Sequence, residues 1–270
     1  MAQPSIPDKV VLRYWSCRGR AQALADFLFD REVPFVDERV TAGSPPGVWV
    51  RMRKDPGRAG PFAALPVLQW GDDVLAETLP IASFLNQTLS LPSRAAPSAT
   101  ARHDMLCSAA YLDVSRPLAD LIRSPASHPG TSLAKRAHFV LPVVFQKMRL
   151  LSLAVGGRPD YFGGETPAVA DFFVFEAMEE LAYLMGPHGG LLADALPELT
   201  EYRERLRARP AMARLFRDHR HARFTGFPDE PKSLAELESL PWRSLCAPVP
   251  RWQLSEAEAA RFRAGYWGRA

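Results

Sequence analysis

The spacing of apolar residues changes near residue 95, and that change limits the architecture more than any single motif. Before it the apolar runs are short and β-branched. Val10, Val11 and Leu12 fit a buried strand, and Ala21, Leu24, Leu28 and Phe29 share one side of a helix running from Ala21 to Phe29. A strand at Phe35–Val40 follows, then an irregular stretch from Thr41 to Pro61 and a strand at Pro66–Gln69. Gly71, Asp72 and Asp73 form a hairpin turn signal, leading to a short strand at Val74 and Leu75 and a helix over Thr78–Leu89. The order βαβ then ββα predicts a small sheet with helices on its faces. From Leu91 to Thr100 proline, serine and alanine dominate, which reads as a linker. Beyond it Leu133, Ala137, Val140, Val144, Met148 and Leu151 recur at three and four, with Pro142 expected to kink their helix. Phe173, Ala177, Leu181 and Leu184 stripe a helix over Val169–Leu184, and Glu201–Phe216 reads as one basic amphipathic helix. The last fifty or so residues are interrupted by proline, with Trp242, Trp252 and Trp267 placed to cover apolar surface. The fold class is therefore α/β plus all-α.

A chain of 270 residues, 47% hydrophobic, can bury one large or two modest cores. Its 33 basic and 30 acidic side chains leave a net charge of +3, too balanced to imply nucleic acid. The first eight residues hold no long apolar run, and no later segment approaches the roughly 18 uninterrupted apolar residues of a membrane span. We expect no membrane partner and a cytoplasmic location. Cys17, Cys107 and Cys246 are odd in number, far apart and lack a Cys-x-x-Cys pair, so neither a disulfide framework nor a metal cage is expected. A reducing compartment fits.

Chemistry concentrates first in Tyr14-Trp15-Ser16-Cys17-Arg18-Gly19-Arg20, at the carboxyl end of the first strand. In an open α/β sheet that edge binds ligands, and helix-start amides beside Arg20 favour an anion. Pro66, at the start of a strand, cannot donate to a ladder and belongs at an edge, a bulge or a cis turn. A cis bond there would aim neighbouring backbone groups outward to pair with a peptide-like ligand. Glu77 and Thr78 open a helix, where Thr78 can cap, first-turn amides can bind a carboxylate and Glu77 can accept from an ammonium. Trp49, Arg53 and Lys54 supply donors for a second carboxylate.

In this order the motifs resemble the cytosolic glutathione transferases, in particular the Tyr-type classes such as pi, mu and sigma. Tyr14-Trp15, Arg18-Gly19-Arg20, Leu65-Pro66-Val67, Glu77-Thr78-Leu79-Pro80-Ile81 and Pro167-Ala168-Val169-Ala170-Asp171 carry the likeness, which spans Val10 to Phe216. It implies a thioredoxin-like glutathione-binding domain over 8–90, a linker over 91–100, an all-helical domain over 101–222 and an extension over 223–270. Glutathione would be the co-substrate, with no metal. Tyr14 would hold its sulfur as the thiolate, which attacks a small hydrophobic electrophile; Ala64 and Leu65 would offer backbone beside a cis Pro66. Glu77 and Thr78 would grip the γ-glutamyl end, while Trp49, Lys54 and Arg20 would serve the other carboxylate. The resemblance further implies a homodimer, with Asp104 or Asp113 reaching the partner's site, and an electrophile pocket that includes Tyr111.

Several positions depart from the family pattern. Ala168 stands where the family has a Ser or Thr helix cap, a loss of about 0.5–2 kcal/mol unless Thr166 substitutes. Ala64 offers only backbone where the pi class has a polar side chain, and the long Thr41–Pro61 stretch leaves Arg53 and Lys54 as alternatives. Ser16 and Cys17 also lie close enough to face the sulfur, although burial as a small apolar residue is the ordinary role of a free cysteine. Three functions compete: a glutathione transferase or related isomerase or peroxidase, a non-catalytic binding or assembly module, and a thiol redox protein built on Cys17.

Overall fold

The computed structural model describes residues 6–41, 48–90, 97–122, 130–155, 161–218, 224–225 and 230–267. Strand β1 (Val10–Trp15) leads through a short 3-10 turn into α1 (Gln22–Asp30), and β2 (Val36–Val40) returns parallel to β1. The crossover is helical because parallel neighbours need a connection long enough to reverse the chain. Two short helices, α2 (Val48–Met52) and α3 (Pro56–Ala59), occupy the stretch that the sequence leaves irregular. The hairpin of β3 (Val67–Trp70) and β4 (Asp73–Ala76) completes a sheet of order β2-β1-β3-β4, with β3 antiparallel to β1. Gly71 turns that hairpin at φ +63°. Helix α4 (Thr78–Leu89) then packs back on the sheet through Ile81, Ala82 and Leu85.

The rest is helical: α5 (Pro97–Ala110), a π-helical turn (Tyr111–Ser115), α6 (Arg116–Leu121), α7 (Leu133–Val155), α8 (Val169–Met185), α9 (Leu191–Ala195), α10 (Pro197–Arg207) and α11 (Pro210–Arg217). Three further helices follow: α12 (Glu230–Glu238), α13 (Trp242–Leu245) and α14 (Glu256–Trp267). Helix α5 begins at Pro97, inside the stretch read as linker, with proline at a helix start, where its missing N–H costs nothing. The single helix expected over 201–216 is two, because Pro210 removes a hydrogen bond and starts α11. Helix α7 keeps Pro142 within its 23 residues. By length and apolar composition α7 is long enough to cross a membrane, unlike the sequence expectation, yet Ala137, Leu141, Val144 and Met148 are fully buried in the core.

Helix α8 is the central post, buried along almost its whole length and packed against α1, α4, α5 and α10. Its start has no side-chain cap at Ala168. Asp171 serves instead from inside the first turn, accepting from the N–H groups of Ala168 and Phe162, both at 2.7 Å, and from the Tyr202 hydroxyl. Asp171 thus makes the reciprocal half of a capping box, satisfying the Ala168 N–H, while the side-chain cap at Ala168 stays absent. Trp242 is buried and donates its indole N–H to the Leu237 carbonyl at 2.9 Å. Trp252 is half-buried, and the Trp267 side chain lies outside the described residues.

Candidate functional site

The carboxyl end of β1 opens onto a cleft of about 530 Å³ between the sheet half and the helical half. The sheet half contributes Tyr14, Trp15, Cys17, Gly19, Arg20, Trp49, Ala64 and Leu65. The helical half contributes Tyr111, Ser115, Arg116, Ala119, Asp120 and Glu180, and Thr225 arrives from beyond α11.

Tyr14 is buried, and its hydroxyl accepts a hydrogen bond from the Arg20 backbone N–H at 2.9 Å. Burial, reinforced by Cys17 beside it, raises the phenol well above its ordinary value. Tyr14 is therefore a neutral hydroxyl whose oxygen already has a donor and whose proton is left to give. Gly19 permits this approach: its φ is +40°, and a Cβ there would sit 2.7 Å from the Tyr14 oxygen. The loop between them is anchored from below, since Arg39 donates to the Cys17 carbonyl at 2.7 Å and Ser16 N–H pairs with the Val40 carbonyl at 2.8 Å. Of the two neighbours that could rival Tyr14, Cys17 lines the cleft but is buried, its thiol pushed up to about 11 by desolvation. Ser16 is exposed and does not line it.

The Leu65–Pro66 peptide bond is cis, and Ala64 and Leu65 border the cleft beside Ala63, itself at φ +48°. Trp49 stacks edge-on against Trp15 with ring centroids 5.0 Å apart, which brings α2 to the cleft's rim. Glu77 caps α4 at φ +70° and is exposed, while Thr78 is buried behind it. Neither lines the cleft directly; the Tyr111 hydroxyl is hydrogen-bonded to the Thr78 side chain, and the Glu77 charge acts on it electrostatically. Lys54 and Arg53 are both exposed and outside the cleft lining, so geometry does not separate them. Asp104 accepts from the Ser83 hydroxyl at 3.2 Å, and Asp113 pairs with Lys147 at 2.9 Å, both within one chain.

Two features escaped the motif reading. Arg18 turns away from the cleft, and its guanidinium forms a two-pronged bridge to Glu176 on α8 at 2.9 and 2.5 Å. Both side chains are buried, so this ion pair joins the two halves where water cannot screen it. Second, the segment after α11 is part of the site. The Phe224 carbonyl accepts the Gly19 N–H at 3.0 Å. Glu230 holds that segment by accepting from the N–H groups of Phe224 and Thr225 at 3.1 and 3.3 Å, and from the Tyr183 hydroxyl at 2.9 Å. No local motif announces a contact that spans more than two hundred residues.

Residues 121–217 match the family model described as glutathione S-transferase, C-terminal domain. The structure superimposes on a monomeric glutathione S-transferase of the hookworm Necator americanus with a TM-score of 0.63, at 21% identity over 78% of this chain and 97% of that one. A pi-class glutathione S-transferase of Onchocerca volvulus gives 0.58 at 19% identity, covering 78% and 93%; rat hPGDS complexed with a quinoline gives 0.59 at 18%, covering 78% and 96%. This is the glutathione S-transferase fold. Its thioredoxin-like sheet carries Tyr14, and its helical C-terminal domain supplies the facing wall. The chain matches no curated protein sequence. Among the described residues no group of three or more His, Cys, Asp or Glu is placed to hold a metal ion.

Proposed function

We propose that the protein is a glutathione transferase in which Tyr14 holds the glutathione sulfur as a thiolate. The observation that carries this reading is the Tyr14 hydroxyl itself: buried, protonated, accepting the Arg20 N–H and facing a cleft between the two halves. A free thiol has a pKa of about 8.5, so a donor that stabilises the anion enlarges the nucleophilic fraction at neutral pH. The cysteinyl unit would pair with backbone at Leu65, beside cis Pro66 and Ala64. Glu77 and Thr78 would take the γ-glutamyl ammonium and carboxylate, with Trp49, Arg20 and Lys54 toward the remaining carboxylate. The thiolate then forms its bond to an electrophilic carbon, and either the leaving group departs with the bonding electrons or, in an addition, the π electrons move to the neighbouring atom and take up a proton.

The non-catalytic alternative is less favoured because Tyr14 keeps both its donor and its access to the cleft. The redox alternative is less favoured because burial holds Cys17 protonated, and the three cysteines are all free and buried. A reducing cytoplasmic setting and a homodimer complete the proposal. The decisive experiment is titration calorimetry with glutathione followed by conjugation of benzyl chloride: saturable binding and turnover support the reading, and no heat at millimolar glutathione would sink it. Light scattering at micromolar concentration tests the dimer.

A further inference from the structure

The helical wall of the cleft is polar where the resemblance implies a hydrophobic pocket. Among the described residues Ser115, Arg116, Asp120, Glu180 and Thr225 face it, together with Tyr111 and Ala119. Tyr111, Ser115 and Ala119 recur every four residues and share a face through the π-helical turn and α6. Glu180 reaches the same wall from α8.

Of the buried side chains with an unpartnered polar atom among the described residues, Glu180 is the one that lines the cleft. It is 1% exposed, and its Oε2 has no hydrogen-bond partner among the described residues, whereas its carboxyl group is hydrogen-bonded to the Ser115 hydroxyl. An orphaned buried carboxyl oxygen costs roughly 1–3 kcal/mol, so a chain selected for stability alone has no use for it. The nearby Arg18 gives its Nε and one Nη to Glu176 and makes no hydrogen bond to that oxygen.

We infer that Glu180, with Ser115, receives a carbonyl-type oxygen of the second substrate, and that the preferred electrophiles are α,β-unsaturated carbonyl compounds and not simple aryl or alkyl halides. The inference rests on the glutathione reading above. Burial first, then the negative charge of Glu176, raises the Glu180 carboxyl well above the usual carboxylate range, while Ser115 and Arg18 act in the opposite direction. That direction favours the protonated carboxyl, which can donate a hydrogen bond as well as accept one. In the addition, the thiolate forms a bond to the β-carbon, and the π electrons of the carbon–carbon double bond move toward the carbonyl oxygen. The Glu180 O–H donates a hydrogen bond to that developing enolate and keeps its proton. The proton lost to solvent when the thiol ionised returns at the α-carbon, so the thioether forms with no leaving group and no redox partner. A donor aimed at the atom where charge develops acts on the transition state more than on the bound substrate.

The test compares wild type, Glu180→Leu and Glu180→Gln in glutathione affinity, thermal unfolding and kcat/KM for two electrophiles, an aryl enone and benzyl chloride. Glu180→Leu should lower the enone to benzyl chloride ratio of kcat/KM tenfold or more, while Glu180→Gln, which keeps a donor, should hold it within about threefold. The Leu variant should unfold at the same or a higher temperature, since the buried carboxyl oxygen it removes has no partner among the described residues and costs more than the one bond to Ser115 returns. An unchanged ratio, or an equal fall on both substrates, would overturn the inference while leaving the glutathione reading intact; wild type that does not bind glutathione would remove both. Failure of both Glu180→Leu and Glu180→Met to fold would also overturn it, because a carboxyl kept for a ligand is one the fold does not require.

Discussion

The two walls of the cleft are built on different physical terms. On the sheet side, position comes from backbone: the end of β1, a glycine pressed against Tyr14 and a cis proline. On the helical side it comes from side chains in a desolvated interface, where Arg18, Asp26, Glu176, Glu179 and Glu180 are all buried together. Backbone-built sites tolerate little variation and read out as motifs. Side-chain sites can be rewritten without touching the fold, so the sheet wall reads out as local motifs and the helical wall does not.

The largest expected effect joins the two walls. Replacing Arg18 by Met would leave Glu176 buried without its cation, and breaking one partner of such a pair costs about 3–5 kcal/mol. Chemical denaturation should show that loss, and Arg18→Met with Glu176→Gln together should recover a large part of it. Equal losses in the single and double variants would mean that the bridge contributes only as packing.

Next comes the sheet wall alone. Tyr14→Phe should cut turnover about 10²-fold, the usual effect of removing one donor from a developing or stabilised anion, with glutathione affinity changed far less. A similar fall from Cys17→Ser would transfer the role to the cysteine. Gly19→Ala should resemble Tyr14→Phe in kinetics, because its Cβ would collide with the hydroxyl at 2.7 Å.

What was legible follows the same division. Tyr14, Pro66 and the Glu77-Thr78 helix start stood out because local backbone demands restrict which residues can occupy those positions. The order βαβ then ββα was legible for the same reason, as were α7 and α8 from their spacing of three and four. The break at Pro210 and the early start of α5 were missed because proline is compatible with a helix start as well as with a stop. The Arg18–Glu176 bridge was unreadable: an arginine between a strand and a helix has the same local signature whether it meets a ligand, solvent or a carboxylate 158 residues away. The segment at Phe224 and Thr225 was equally silent, since its place depends on Glu230 and Tyr183 and not on its own periodicity.

That segment gives a smaller test of how far the helical wall depends on the extension. Glu230→Gln keeps the shape of the side chain but weakens its grip on the Phe224 and Thr225 N–H groups, each charge-assisted bond being worth about 1.5–3 kcal/mol and only part of it lost. Because Phe224 also holds the Gly19 N–H, the KM for the electrophile should rise a few-fold, with glutathione affinity little altered. A change confined to glutathione affinity would place the segment on the other wall.

The smallest effect is a slope. Asp26, on α1 in the same interface, accepts from Gln22 at 2.8 Å through one oxygen and has its Oδ2 unpartnered among the described residues. Burial first, then Glu176, raises its carboxyl well above the ordinary value, and Glu180 is raised for the same reasons. A carboxyl whose folded pKa lies above its unfolded one contributes fully below the unfolded value, and that contribution is lost as pH rises through the folded one. Stability should therefore decline as pH rises above the ordinary carboxylate range and the acids of this interface are forced to ionise. Asp26→Asn should flatten that decline, and denaturation midpoints measured upward from about pH 4, the unfolded carboxylate value, would show it; a variant as pH-sensitive as the wild type would mean that Asp26 is already ionised beside Arg18. In that case the interface is a network of paired charges, and the helical wall would be held by the same kind of bridge along its whole length.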